Sequence, residues 1–177
     1  STLAAGVFRE TDAQGRMTSN DGVQFTGRLT GLPLYRDAGR MLIHLGASAS
    51  RRRYDGDTVR FRARPESHLM PSFADTGDLE AEEGDLFGLE AAAVFGPLSL
   101  QGEYTAAETS GPEADTGFSG AYVQAGWFLT GESRPYSRSG GKFSRVEPKR
   151  MAFHQGGAGA WELAARYSTV DLSDGDI

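Results

Sequence analysis

The sequence predicts an all-β protein, a transmembrane antiparallel β-barrel, on three observations. Segments of about 9 to 13 residues alternate apolar and polar side chains with a period of two, as strands do. Their length is close to the 9–11 residues that a tilted strand needs to cross a bilayer, whereas strands of soluble proteins usually have about five or six. The connections between segments alternate between short and long, which is typical of outer-membrane barrels.

Seven segments carry this alternation, and each is predicted to form one strand. They cover residues 2–10, 22–34, 41–53, 84–95, 98–108, 118–130 and 159–172. In the third segment, Ile43 and Leu45 take one face while His44 takes the other. The pattern continues to both ends of the chain, so we expect the chain to be part of a longer protein.

The alternation divides the segments into a lipid face and a lumen face. We expect the lipid face to carry Ile43, Leu45, Leu100, Val123, Trp127 and Leu163. We expect the lumen face to carry Arg28, Ser48, Gln101, Gln124 and Arg166. Aromatic residues near the segment ends are interpreted as the interfacial girdles of a barrel, and they are Phe8, Tyr35, Phe95, Tyr104 and Tyr167. A soluble β-sandwich produces the same alternation and remains the alternative.

The connections predict which side of the barrel each loop occupies. Tight turns are predicted between residues 34 and 41 and at Gly96-Pro97, while 11–21, 54–83 and 109–117 are longer. If 54–83 is one loop, every short turn before residue 118 lies on the same side. The segment 131–158 is then an exception, because it is long and yet falls on the short-turn side.

Composition excludes several classes of function. The net charge of −6 argues against a general nucleic-acid binder, and the absence of cysteine excludes disulfides and thiolate metal sites. The three histidines are far apart, and no serine, histidine and carboxylate are grouped as a triad. We therefore expect no metal, no cofactor and no enzymatic activity, although an outer-membrane barrel enzyme remains a minor alternative.

The stretch "TVRFRARPES" (58–67) places Arg60, Arg62 and Arg64 on one side of an extended chain, at a spacing of about 6.6–6.8 Å. Contact with lipid is excluded, because one arginine near the bilayer midplane costs about 2–4 kcal/mol. The row therefore faces either an anion pathway or solvent. Passing anions, or the acidic residues between positions 75 and 85, would relieve the mutual repulsion of the arginines.

Three further arginines are predicted on the polar sides of strands. Arg28, Arg52 and Arg166 either pair across strands with Glu90, Glu103 or Glu162, or they face the ion path. Both readings place them on the lumen wall.

The sequence also resembles a known family. The stretches "GWFLTGESRPY" (126–136), "FSRVEPKR" (143–150) and "GAGAWELAARYSTVDLSDGDI" (157–177) look like the phosphate-selective porin O and P family of Gram-negative outer membranes. "GLEAAAVFGPLSLQGEY" (88–104) and "MLIHLGASAS" (41–50) resemble its upstream strands. The resemblance places the chain in the later-middle part of the family's sequence, without the N-terminal part and the last strands. The chain departs from the family at Ala158, where members usually have tryptophan.

The resemblance implies a homotrimer of 16-stranded barrels in the outer membrane that passes anions such as phosphate or polyphosphate. It implies that the whole chain, 1–177, belongs to a single barrel domain. Within it, 54–83 is expected to be an inward-folded extracellular loop and 131–158 a long basic periplasmic turn. The expected anion pathway comprises Arg60, Arg62, Arg64, Arg52, Arg28, Arg134, Arg138, Lys142 and Arg145. No nucleic-acid partner is expected.

Overall fold

The computed structural model describes residues 1–9, 23–54, 58–64, 71–72, 74–112, 115–152 and 156–173. The predicted connection 11–21 lies outside the described residues. The strands are β1 (Thr2–Arg9), β2 (Val23–Arg36), β3 (Met41–Arg53), β4 (Thr58–Val59), β5 (Arg62–Ala63), β6 (Ala74–Asp75), β7 (Leu79–Glu80), β8 (Glu83–Phe95), β9 (Leu98–Ser110), β10 (Thr116–Phe128), β11 (Tyr136–Ser137), β12 (Lys142–Phe143) and β13 (Glu162–Asp171).

The seven long strands form one antiparallel sheet in the order β1-β2-β3-β8-β9-β10-β13, so the predicted all-β class and the seven strands are confirmed. The short strands form three separate two-stranded ladders, β4 with β7, β5 with β6 and β11 with β12. The sheet is open, with β1 and β13 at its edges in the described part of the chain. No helix among the described residues is long and apolar enough to span a membrane.

The two ends of the sheet differ in their connections. At the short-turn end, a 3-10 turn at Asp37–Gly39 joins β2 to β3, and Gly96-Pro97 joins β8 to β9. At the opposite, long-loop end, residues 54–82 connect the neighbouring strands β3 and β8. The connection from β10 to β13 leaves from the short-turn end, where the Phe128 N–H donates to the Pro97 carbonyl at 3.0 Å.

Strand register defines an apolar face of the sheet, because residues directly opposite each other point to the same side. Leu100, for example, is paired with Ala93 on one side and Ala125 on the other. The large apolar side chains exposed on this face are Leu3, Val7, Phe25, Leu29, Leu45, Phe87, Leu89, Phe95, Leu98, Leu100, Tyr104, Val123, Trp127, Leu163 and Tyr167. Between Phe87 and Phe95 the strand rises about 27 Å. The tilt of strands in a barrel reduces the height along the membrane normal to about 20 Å, which is close to the height of about 25 Å of the apolar band of outer-membrane barrels.

Two of the predicted girdle aromatics lie on the wrong face for that role. Tyr35 is the partner of Leu42, which is buried on the polar face, and Phe8 is the partner of Gln24. In β2 the register shifts between Gly31 and Leu34, and such a bulge re-aims the side chains that follow it. This local shift was not visible in the alternation.

The opposite, polar face is covered at both ends of the sheet. Near the short-turn end the buried side chains are Leu42, His44, Ala92, Val94, Ser99 and Phe128. Residues 131–152, which we call the crossing segment, contact this part of the polar face. Near the long-loop end Phe118 is buried on the same face, and its ring packs 5.0 Å from the ring of Phe61 in the long loop.

Candidate functional site

The candidate site is a cavity of about 250 Å³ between the polar face and the crossing segment. The wall contributes residues from β2, β3, β8 and β9, and the crossing segment closes the opposite side. The titratable or charged side chains that line it are Arg28, His44, Glu90, Glu103, Arg134, Tyr136 and Lys142. The site therefore combines three permanent cations with two carboxylates and one histidine.

A carboxylate shared by two donors forms the centre of the wall side. Glu90 Oε1 on β8 accepts a hydrogen bond from Arg28 Nη2 at 2.5 Å and one from His44 Nε2 at 3.0 Å. Gly46 on β3 is directly opposite Glu90, and a Cβ there would lie 2.1 Å from Glu90 Oε1. The missing side chain at Gly46 gives the carboxylate room to lie across β3.

The crossing segment contacts both of the side chains that donate to Glu90. The Tyr136 hydroxyl lies 2.6 Å from His44 Nδ1, and the other ring nitrogen of His44, Nε2, lies 3.0 Å from Glu90 Oε1. Arg28 Nη2 also donates to the Gly141 carbonyl at 3.2 Å. Burial raises the pKa of Tyr136, so the phenol stays protonated at neutral pH.

Gly141 lies close against the first two strands. Its φ of +60° suits glycine, and an added Cβ would lie 2.9 Å from Thr2 Oγ1 and 3.1 Å from Thr30 Oγ1. The tip of the crossing segment therefore reaches the edge strand β1, after contacts with β9 through Arg134 and with β3 through Tyr136.

Arg134 and Lys142 have no carboxylate partner among the described residues. Arg134 Nη1 donates to the neutral Gln101 Oε1 at 2.5 Å, and its guanidinium lies 4.3 Å from the centre of the Phe143 ring. Lys142 is exposed, and neither cation forms an ion pair with the residues that the structure describes. These two cations therefore lie beside the cavity without direct contact with a described carboxylate, and with Arg28 they outnumber the two carboxylates of the cavity, Glu90 and Glu103.

The other basic residues of the crossing segment are outside the cavity. Arg138 stacks over Tyr35 with 5.1 Å to the ring centre, and Arg145 is exposed. Lys149 Nζ donates to the Gly131 carbonyl at 2.7 Å. At the base of the segment, Glu132 is buried and accepts bonds from the Thr130 hydroxyl and the Lys149 N–H, which lower its pKa.

The arginine row 60–64 is extended, as predicted, and Arg60, Arg62 and Arg64 are exposed. Arg60 is held by Asp75 through two bonds of 2.6 and 2.7 Å, with Asp78 at 3.5 Å. The bond from Arg60 lowers the pKa of Asp75 to about 2. Arg62 and Arg64 form no ion pair within the described part of the chain.

The three wall arginines contact different partners. Arg28 pairs across strands with Glu90, one of the two readings of the sequence. Arg52 Nη2 donates to Gln24 Oε1 at 2.7 Å, and Arg166 lies 3.6 Å above the centre of the Tyr122 ring. Sequence reasoning did not identify Tyr136, His44 and Gln101 as site residues. The signal that it lacked was strand register, which brings Glu90 beside His44 and opposite Gly46.

A sheet that is apolar and exposed on one face, and polar and covered by two insertions on the other, has the features of a section of an outer-membrane barrel wall. The family model described as "Phosphate-selective porin O and P" matches residues 1–177, and the chain belongs to this family. The chain is 37% identical to an uncharacterized protein of Caulobacter vibrioides, over 97% of this chain and 36% of the relative. It is 29% identical to Porin O of Pseudomonas aeruginosa, over 99% of this chain and 43% of the relative. The chain thus spans less than half the length of either relative.

Proposed function

We propose that the complete protein is a porin of a Gram-negative outer membrane that passes small anions, phosphate and polyphosphate among them, by passive diffusion. The apolar face contacts outer-membrane lipid, and the polar face lines the lumen. Family membership supports the barrel, which in this proposal has 16 strands and assembles as a homotrimer. The long loop 54–83 and the segment 131–158 fold inward from the extracellular and periplasmic sides.

The observation that carries the proposal is the electrostatic state of Arg134 and Lys142. Both lie beside a cavity on the polar face, and neither forms an ion pair with a described carboxylate. A fixed cation in a lumen attracts anions and repels cations, and several weak sites in sequence allow an ion to enter and leave. Arg28, Arg52, Arg62, Arg64, Arg138 and Arg145 extend the proposed path, with Arg60 as a further member.

The test is the reversal potential of the complete protein in planar bilayers under a KCl gradient. Two unit charges about 8 Å apart in water interact by about 0.5 kcal/mol, so removing two cations lowers anion preference roughly fivefold. We expect Arg134→Gln with Lys142→Gln to show this loss, most strongly at low salt.

The control is Arg36→Gln, which removes one positive charge near the short-turn end, against two in the double variant. Arg36 is paired with Met41, whose partner Phe95 lies on the apolar face, so its charge is outside the cavity. Wild-type selectivity in the double variant, or an equal loss in Arg36→Gln, would overturn the proposal.

A further inference from the structure

We propose that Glu90 is a positioning residue that holds the crossing segment against the wall. This inference deepens the proposed function, because it identifies what fixes the cations of the segment beside the cavity. It concerns a carboxylate, which on charge alone would oppose the passage of anions.

Two attachments of the crossing segment depend on one oxygen atom. Tyr136 bonds to His44, and Gly141 bonds to Arg28. His44 and Arg28 both donate to Glu90 Oε1, at 3.0 and 2.5 Å. Glu90 therefore orients both of the wall side chains, His44 and Arg28, that contact the segment.

Glu90 orients the ring of His44. An ionised carboxylate only accepts, so Nε2 of His44 carries a proton, and the opposite ring nitrogen, Nδ1, lies 2.6 Å from the Tyr136 hydroxyl. His44 is 5% exposed, and its ring centre is 5.4 Å from that of Tyr136. The ring is thus held between the wall carboxylate and the segment.

Glu90 orients Arg28 by a charge-assisted bond, which is stronger than a bond between neutral groups. One guanidinium nitrogen, Nη2, contacts both Glu90 Oε1 and the Gly141 carbonyl. Without the carboxylate, the long side chain of Arg28 regains the rotamers that it loses in this arrangement.

Glu103 offers a matched control. It is the residue directly opposite Glu90 in the pairing of β8 with β9, and it lines the same cavity. Its carboxylate accepts from the Tyr122 hydroxyl at 2.6 Å, so its contact lies within the sheet. Glu90→Gln and Glu103→Gln remove the same charge from the same cavity. Glu90 bonds directly to the two side chains that contact Tyr136 and Gly141, whereas Glu103 reaches the segment indirectly, through Tyr122 and Gln101.

The experiment measures the mobility of the segment directly. The chain contains no cysteine, and Ser139 is exposed at the tip of the segment, so a nitroxide on Ser139→Cys reports its motion. In the complete protein we expect Glu90→Gln to raise the ratio of mobile to immobile spectral components about tenfold, the effect of losing one charge-assisted bond. Glu90→Ala should do at least as much, while Glu103→Gln and Glu103→Ala, whose contact with the segment is less direct, should change the spectrum much less.

Unchanged spectra in both Glu90 variants would overturn the proposal, as would equal changes in the Glu103 variants. Reversal potentials provide a second readout. Charge alone predicts that Glu90→Gln and Glu103→Gln raise anion preference equally. Release of the segment predicts that the anion preference of Glu90→Gln is lower than that of Glu103→Gln. If the wild-type protein shows no anion preference, the proposed function fails, while the spin-label result still decides the role of Glu90.

Discussion

The two basic regions that cover the polar face hold their arginines with different kinds of partner. In the long loop, Nε and Nη2 of Arg60 donate to the two carboxylate oxygens of Asp75, and Asp78 lies 3.5 Å from Nη1. In the crossing segment, Arg134 is held by a neutral amide and an aromatic ring. Both arginines are fixed in place, but only Arg134 keeps its charge available.

This difference shows that the partner of an arginine, rather than the number of arginines, determines the local field. An acidic partner orients the guanidinium and cancels its charge at a distance. A neutral amide or a ring face orients it and leaves the charge to act on a passing ion. In the proposed anion path, Arg134 of the segment therefore contributes more to the attraction of anions than Arg60 of the loop.

The largest expected effect comes from removing the tip of the crossing segment. Deleting residues 136–143 joins Pro135 to Ser144, whose N–H already donates to the Pro135 carbonyl at 2.8 Å. We expect single-channel conductance to rise and anion preference to fall roughly fivefold, because the deletion removes Lys142 and the attachment that fixes Arg134. Unchanged conductance and selectivity in bilayer recordings would mean that the segment lies outside the pore.

A smaller effect is expected when the partner of Arg60 is neutralised. Asp75→Asn releases the guanidinium, so anion preference should rise about twofold, the effect of one unit charge at about 8 Å in water. Combining it with Arg60→Gln restores the original net charge and should restore the original reversal potential. If Asp75→Asn alone leaves selectivity unchanged, the loop does not face the ion path.

The effect of Asp75→Asn on anion preference depends on pH through the pKa of Asp75. Arg60 lowers this pKa from 3.8 to about 2, so the pair stabilises the folded loop above pH about 4 and loses that contribution as pH falls towards 2. We expect the difference between Asp75→Asn and wild type to stay constant from pH 8 to 4. A difference that fades already between pH 5 and 4 would show that the pair is weaker than its geometry indicates.

The smallest effect is expected at Arg138, which stacks on Tyr35 away from the cavity. An exposed cation–π contact contributes about 0.5–1 kcal/mol, and Arg138 does not line the cavity. Arg138→Gln should therefore lower anion preference by less than about twofold. A loss as large as that of Lys142→Gln would extend the ion path to Tyr35.

Much of the wall was predictable from the sequence, because the period of two holds along the long strands except at the bulge in β2. That bulge changes the register before Tyr35, and local alternation carries no information about such a shift. At Phe8 there is no shift, and its place opposite Gln24 agrees with the alternation of β1 rather than with a girdle role.

The candidate site was only partly predictable. The pattern and the family resemblance indicated the basic residues, but the partners of Arg28, Arg60 and Arg134 come from other parts of the chain. Whether an arginine meets a carboxylate or an amide depends on strand register and on the path of the insertions. Neither can be read from composition or spacing.

The central claim is that Arg134 attracts anions because its partner is neutral. Gln101 and Glu103 lie two residues apart on the polar side of β9, and both bond to the Tyr122 hydroxyl. The variant Gln101→Glu with Glu103→Gln keeps the net charge and moves the carboxylate next to Arg134. Its reversal potential at low salt, compared with wild type, tests the claim most directly. We expect anion preference to fall about twofold, and an unchanged reversal potential would contradict the account.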